Sequence, residues 1–128
     1  MREINYIVVH VSASPQGRGD DAQTIHRWHL ENSWAGIGYH YVILEDGTIE
    51  SGRPEYWKGS HVRGHNHESI GICLIGMGSD ATEAQMITLK QLSDGLAFKY
   101  QAKVVGHSQL DGKKPDCPSI DTLERLLK

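Results

Sequence analysis

The chain has 128 residues, 38% hydrophobic and 23% charged, which suits one soluble globular domain with a real core. Its net charge of −3 with histidine neutral argues against non-specific binding to nucleic acid or to an anionic membrane surface, both of which need a basic face. No apolar run approaches the roughly 20 residues that span a bilayer, and Met1-Arg2-Glu3-Ile4-Asn5 leads straight into a strand pattern with no signal-peptide layout. The expectation is a monomer, cytoplasmic as synthesised, that reaches any extracytoplasmic substrate by another route.

Residues 4 to 10 read as a strand, apolar on both faces and therefore central. A Ser-, Gly- and Pro-rich loop follows, and Asp20 or Asp21 can cap a helix over about 22 to 33, with Ile25 and Trp28 on its apolar face. Tyr39 to Leu44 is a strand, Glu45-Asp46-Gly47 a tight turn in which Asp-Gly supplies positive φ angles, and Thr48 to Arg53 the returning strand. Residues 54 to 68 form a long polar loop rich in Gly and His, of the kind that is usually functional or mobile. Ser69 to Gly76 is a continuous apolar run, a buried strand in which Cys73 is a small core hydrophobe. Thr82 with Gln85 forms a capping box that opens a long helix, with Met86, Leu89, Leu92 or Ser93, Leu96 and Tyr100 inward. Val104-Val105 is a short strand, and Ile120, Leu123, Leu126 and Leu127 mark a C-terminal helix. Strands and helices interleave around one hairpin. This predicts an α/β fold, a single domain over residues 1–128 with a central mixed β-sheet flanked by helices.

The chemistry gathers at strand ends. His10 closes the first strand and His107 follows the Val104-Val105 strand directly; open α/β sheets bind ligands beyond the carboxyl ends of their strands. Cys117, before a proline and a helix start, is not a core position, and the helix N-terminus favours its thiolate. Two imidazoles and a thiolate make a three-ligand zinc set that leaves the fourth position open, as a catalytic zinc site requires. His26 and His29 read as solvated or packed helix residues. His61, His65 and His67 in the long loop are either groove or metal residues or plain loop polarity, and His61, His65 and Asp116 are the reserve ligands. Lys113 and Lys114 are either a solvated pair or a source of one cation for an oxyanion. Tyr39 is either a strand aromatic or a phenol beside the metal. A disulfide between Cys73 and Cys117 is disfavoured in a reducing compartment and between a mid-strand and a loop residue. No carboxylate pair of the kind glycosidases need stands near these positions.

Five segments then occur in a telling order: Val8-Val9-His10-Val11-Ser12-Ala13-Ser14, Gly38-Tyr39-His40-Tyr41, Gly59-Ser60-His61, Asn66-His67-Glu68-Ser69-Ile70-Gly71-Ile72-Cys73-Leu74-Ile75-Gly76, and Cys117-Pro118-Ser119. Together they resemble the zinc N-acetylmuramoyl-L-alanine amidases of the T-seven phage lysozyme type (amidase type 2), which share a fold with animal peptidoglycan recognition proteins. The resemblance runs from about residue 4 to residue 121. It implies one Zn2+ per chain on His10, His107 and Cys117, a catalytic Tyr39, and a catalytic lysine. The family lysine commonly lies two residues before the cysteine ligand; that position here is Pro115, so Lys114, three before, takes the role, with Lys113 second. The implied substrate is peptidoglycan, cut at the bond between muramic acid and L-alanine. The implied setting is endolysin-type lysis of the bacterial wall, and the alternative is a module that binds the wall without cutting it.

Overall fold

In the computed structural model, which describes residues 2–118 and 120–127, the element order is β1 (Tyr6–Val11), α1 (Ala22–Glu31), β2 (Tyr41–Ile43), β3 (Ile49–Ser51), β4 (Ser69–Leu74), α2 (Glu83–Tyr100), β5 (Lys103–Gly106), α3 (His107–Leu110) and α4 (Ile120–Leu127). The five strands form one sheet in the order β3-β2-β4-β1-β5. β1 runs parallel to β4 and β5, β2 runs parallel to β4, and only β3 is antiparallel. This is the mixed sheet expected from the interleaved pattern. It explains the unbroken apolar runs, because β1 and β4 lie inside the sheet and are covered on both faces.

The two faces differ. Ile7, Val9 and Val11 of β1, with Ile70, Ile72 and Leu74 of β4, pack against Leu89 and Leu96 of α2 and Leu126 of α4. The opposite face is split. Ile25 of α1 packs with Val42, Cys73 and Ile75, with Tyr39 alongside, while Val8 and Val105 pack under Val62 of the long loop. Cys73 is completely buried, and both cysteines carry free thiols.

Helix starts follow the sequence signals. Asp21, not Asp20, caps α1: its carboxylate accepts from the Thr24 N–H, and Thr24 Oγ1 accepts from the Asp21 N–H. Thr82 and Gln85 form the reciprocal pair on α2. Gln85 also donates from its buried amide to the carbonyls of Ile43 and Ile75, which ties the first turn of α2 to β2 and the end of β4. Among the described residues, no helix is long and apolar enough to cross a membrane.

Several boundaries move. β1 ends at Val11, so His10 is its penultimate residue. The hairpin turn over Glu45-Asp46-Gly47 takes one positive φ, at Gly47 and not at Asp46, with the Gly47 N–H bonded to the Leu44 carbonyl; this is a three-residue turn with a glycine bulge. The long loop is pinned instead of loose. Asn66 Oδ1 accepts from the N–H groups of both His61 and Val62, Arg2 donates to the carbonyls of Glu55, Asn66 and Ser69, and Asn66–Glu68 forms a short 3-10 turn. Ser119 of the Cys-Pro-Ser segment and the side chains of Ile120 and Leu127 lie outside the described residues.

Candidate metal centre and active-site cleft

β1 and β5 are adjacent parallel strands, with Val9 opposite Gly106. His10 and His107 therefore emerge side by side at the same edge of the sheet, with ring centroids 4.6 Å apart. His107 opens α3, a single turn that the sequence pattern did not reveal. Cys117 arrives on the segment before α4. That segment is anchored by Ser108, whose N–H donates to the Cys117 carbonyl at 2.8 Å and whose hydroxyl donates to the Pro118 carbonyl. Gly106 permits the approach: a Cβ there would lie 2.8 Å from Pro118 Cδ, closer than real side chains come. One ligand atom each from His10, His107 and Cys117 lies within 4.8 Å of the others, the one such group among the described residues.

The local electrostatics match a metal-binding set. Burial, with the imidazoles of His61 and His107 close by, holds His10 well below the ordinary histidine range, so the ring is neutral and keeps a lone pair. Burial also lowers His107, opposed by Asp111 and reinforced by Lys114. Burial raises the Cys117 thiol, opposed by the backbone at Val11 and by the charge of Lys114. His107 Nδ1 is buried without a hydrogen-bond partner, while its Nε2 lies 3.7 Å from Asp111 Oδ2. An orphaned buried nitrogen is costly, and a cation shared with Cys117 and His10 removes that cost. Two imidazoles and one thiol suit zinc in particular. The residues present fit the metal.

The three groups sit in a cleft of about 950 Å³ that is also lined by Trp34, Tyr39, His61, Arg63, Asn66, Lys113, Lys114 and Asp116. Tyr39 lies just before β2, its ring 5.0 Å from that of His10. Burial, together with the Cys73 and Cys117 thiols, holds its phenol well above the usual range, so it remains a proton donor at neutral pH. Lys113 and Lys114 are both exposed on the rim. The charge of Lys114 is felt at His107 and Cys117, and the Lys113 backbone N–H is bonded to Asp111 Oδ1.

The remaining histidines separate cleanly. His26 Nδ1 accepts from the Ile37 N–H and His29 Nδ1 from the Gly38 N–H, so both are packed pegs that shape the turn leading to Tyr39. His40 is fully buried, accepting at Nδ1 from the Gly71 N–H and donating from Nε2 to the Trp57 carbonyl. His65 pairs with Glu68 and stands edge-on to Tyr6, and His67 is exposed; neither joins the cluster. His61 does join it, with Nδ1 2.8 Å from His10 Nε2. Its placement was not read from the sequence beyond a choice of roles, although Gly71 inside a buried strand was a signal, since such glycines mark a close approach.

The profile of the N-acetylmuramoyl-L-alanine amidase family matches residues 1–120. The endolysin of Escherichia phage T7 is 40% identical over 123 residues, which cover 90% of this chain and 80% of that protein. Among solved structures, the endolysin N-acetylmuramoyl-L-alanine amidase LysCS from Clostridium intestinale URNW has a TM-score of 0.86 and 33% identity, over 98% of this chain and 82% of that one. A variant of Drosophila PGRP-LB in complex with tracheal cytotoxin has a TM-score of 0.80 and 26% identity, over 94% and 78%. With the family profile reaching from before β1 to the start of α4, and so spanning the sheet and the cleft, the chain belongs to the N-acetylmuramoyl-L-alanine amidase family.

Proposed function

We propose that this chain hydrolyses the amide bond between N-acetylmuramic acid and the L-alanine of the peptidoglycan stem, using one zinc ion per chain held by His10, His107 and Cys117. The observation that carries the reading is the partnerless, buried Nδ1 of His107 beside His10 and the Cys117 thiol at the floor of the cleft. Bound there, zinc supplies a Lewis acid that polarises the scissile carbonyl and lowers the pKa of a water to about 7.

The chain's own groups supply the rest. Tyr39 holds its proton at neutral pH, and in this reading it orients the attacking water or passes a proton toward the departing L-alanine amine. Lys114 brings an ammonium to the rim nearest Cys117 and His107, where it stabilises negative charge that grows on the carbonyl oxygen during attack. In this reading the cleft residues Trp34 and Arg63 help to hold the glycan and peptide. The presence of the complete His/His/Cys set favours cutting over simple binding of the wall.

Dye release from labelled peptidoglycan tests this, with and without a chelator and with zinc added back. Release should stop with chelator and return with zinc. Mass spectrometry of the products should show free stem peptides beginning with L-alanine and intact glycan. Release that ignores the chelator, or new reducing sugar ends without free peptide, refutes the proposal.

A further inference from the structure

The ring of His61 occupies a slot cut by two glycines. A Cβ at Gly59 would lie 2.5 Å from its Cδ2, and one at Gly71 would lie 2.8 Å from its Cγ and Nδ1. The backbone beneath is pinned by Asn66 Oδ1. Both ring nitrogens are engaged: Nδ1 with His10 Nε2 at 2.8 Å and Nε2 with Ser69 Oγ at 3.2 Å. Ser69 Oγ in turn donates to the His65 carbonyl at 2.8 Å, and Ser69 is completely buried.

These contacts have a direction. A carbonyl oxygen can only accept, so the single hydroxyl proton of Ser69 points at His65. Ser69 Oγ is then an acceptor toward His61, which places the His61 proton on Nε2. A neutral His61 with its proton on Nε2 can only accept at Nδ1, so His10 donates from Nε2. A neutral His10 protonated at Nε2 has its lone pair on Nδ1, and that atom faces Cys117 Sγ at 3.6 Å. The reverse direction would turn a hydroxyl lone pair toward the His65 carbonyl at the shorter of the two Ser69 contacts. It would also put a proton on His10 Nδ1, on the side where Cys117 stands.

We infer that His61 is a positioning residue. The relay from the His65 carbonyl through Ser69 and His61 sets the tautomer and the ring orientation of His10, so that Nδ1 is the atom offered to the metal. Metal-bound histidines usually donate their other ring N–H to a carboxylate, a carbonyl or water, and loss of such a partner typically weakens metal binding about 10- to 100-fold. Here the partner is a second imidazole, locked by a serine. The inference rests on the metal reading above but names what that reading leaves open: which nitrogen of His10 binds, and what holds it.

The test uses the zinc-loaded protein labelled with 15N-histidine. Long-range proton–nitrogen correlation should show His10 protonated at Nε2 with Nδ1 shifted by the metal, and His61 protonated at Nε2. This needs no variant. In competition with a chromogenic chelator, His61→Ala should release zinc about 10- to 100-fold more readily. His61→Asn should recover most of the affinity, because its amide oxygen can accept where Nδ1 does. Ser69→Ala should replace the single His61 tautomer with a mixture. Zinc on His10 Nε2, unchanged affinity in His61→Ala, or equal losses in the Ala and Asn variants would each overturn the relay alone. A wild-type chain that takes up no zinc would overturn the metal reading, and the relay with it.

Discussion

His40 makes stability depend on pH in a way that can be isolated. It lies fully buried between β4 and the long loop, accepting from Gly71 N–H and donating to the Trp57 carbonyl. Burial is the largest influence and pushes its pKa from 6.5 down to about 4; the Trp57 contact opposes the shift, and Arg2 and Arg53 reinforce it. The folded value lies below the unfolded one, so as pH falls the unfolded chain takes up the proton first. The contribution of His40 is therefore complete above about pH 7 and drains between pH 6.5 and 4. Integrating the linkage over that window, the drop from pH 7 to pH 5 costs about 2 kcal/mol, a sizeable part of the about 5–15 kcal/mol that typically holds a domain folded. Other buried histidines, His10 and His61 among them, steepen the same slope, so a single acid titration does not identify His40. The comparison that does is urea unfolding of the wild type and His40→Gln at pH 7, 6 and 5, in chelator throughout so that metal binding adds nothing. The variant should be less stable at pH 7 by about 1–3 kcal/mol, the cost of leaving buried backbone groups poorly paired. Between pH 7 and pH 5 it should lose about 2 kcal/mol less than the wild type does. Equal losses in the two proteins would show that His40 does not titrate on unfolding.

Three further outcomes follow from the site. Lys114→Ala should retain zinc and bind wall fragments but turn over about a hundredfold or more slowly, with kcat falling more than affinity, while Lys113→Ala stays near wild type; equal, near-wild-type turnover in both would remove the lysines from the mechanism. Cys117→Ser should lose zinc by elemental analysis, and full occupancy in that variant would pass the ligand role to His61 or Asp116. Cys73→Ala should keep zinc and specific activity while lowering stability by about 1 kcal/mol or somewhat more, and zinc loss with the fold intact would mean that Cys73 matters to the metal.

Much of this was legible in the sequence because local signals and global demands agreed. Thr82 and Gln85 announced the start of α2, and the double-sided apolar runs announced β1 and β4 as interior strands. His10 and His107 stood out because each closes or follows a strand, and a strand end is the place where a polar side chain can leave the core. What escaped notice depended on pairing across the chain. Residues 10 and 61 are 51 positions apart, and their contact exists because β4 lies between β2 and β1, bringing Gly71 against the loop that carries Gly59 and His61. The one-turn helix at His107 escaped because four residues carry no period. The long loop looked loose because its anchors, Arg2 and Asn66, act through backbone carbonyls and a single amide oxygen, which leave no mark in composition.

The division between the faces of the sheet accounts for how such a small chain can place so many imidazoles in its interior. On the α2 side every inward residue of β1 and β4 is aliphatic, and each fully buried side chain of that size contributes about 1.5–3 kcal/mol. The opposite side gives its alternate positions to Val8 and His10 on β1 and to Gly71 and Cys73 on β4. There the histidines are tolerable because their nitrogens are almost all spoken for: by backbone N–H groups at His26, His29 and His40, by another ring at His10 and His61, and by a serine at His61. The exception is His107 Nδ1. In a layer where each other buried imidazole nitrogen is answered or engaged, one unanswered nitrogen beside a thiol marks where the protein spends stability for chemistry, and it lies where the open end of the sheet meets the cleft.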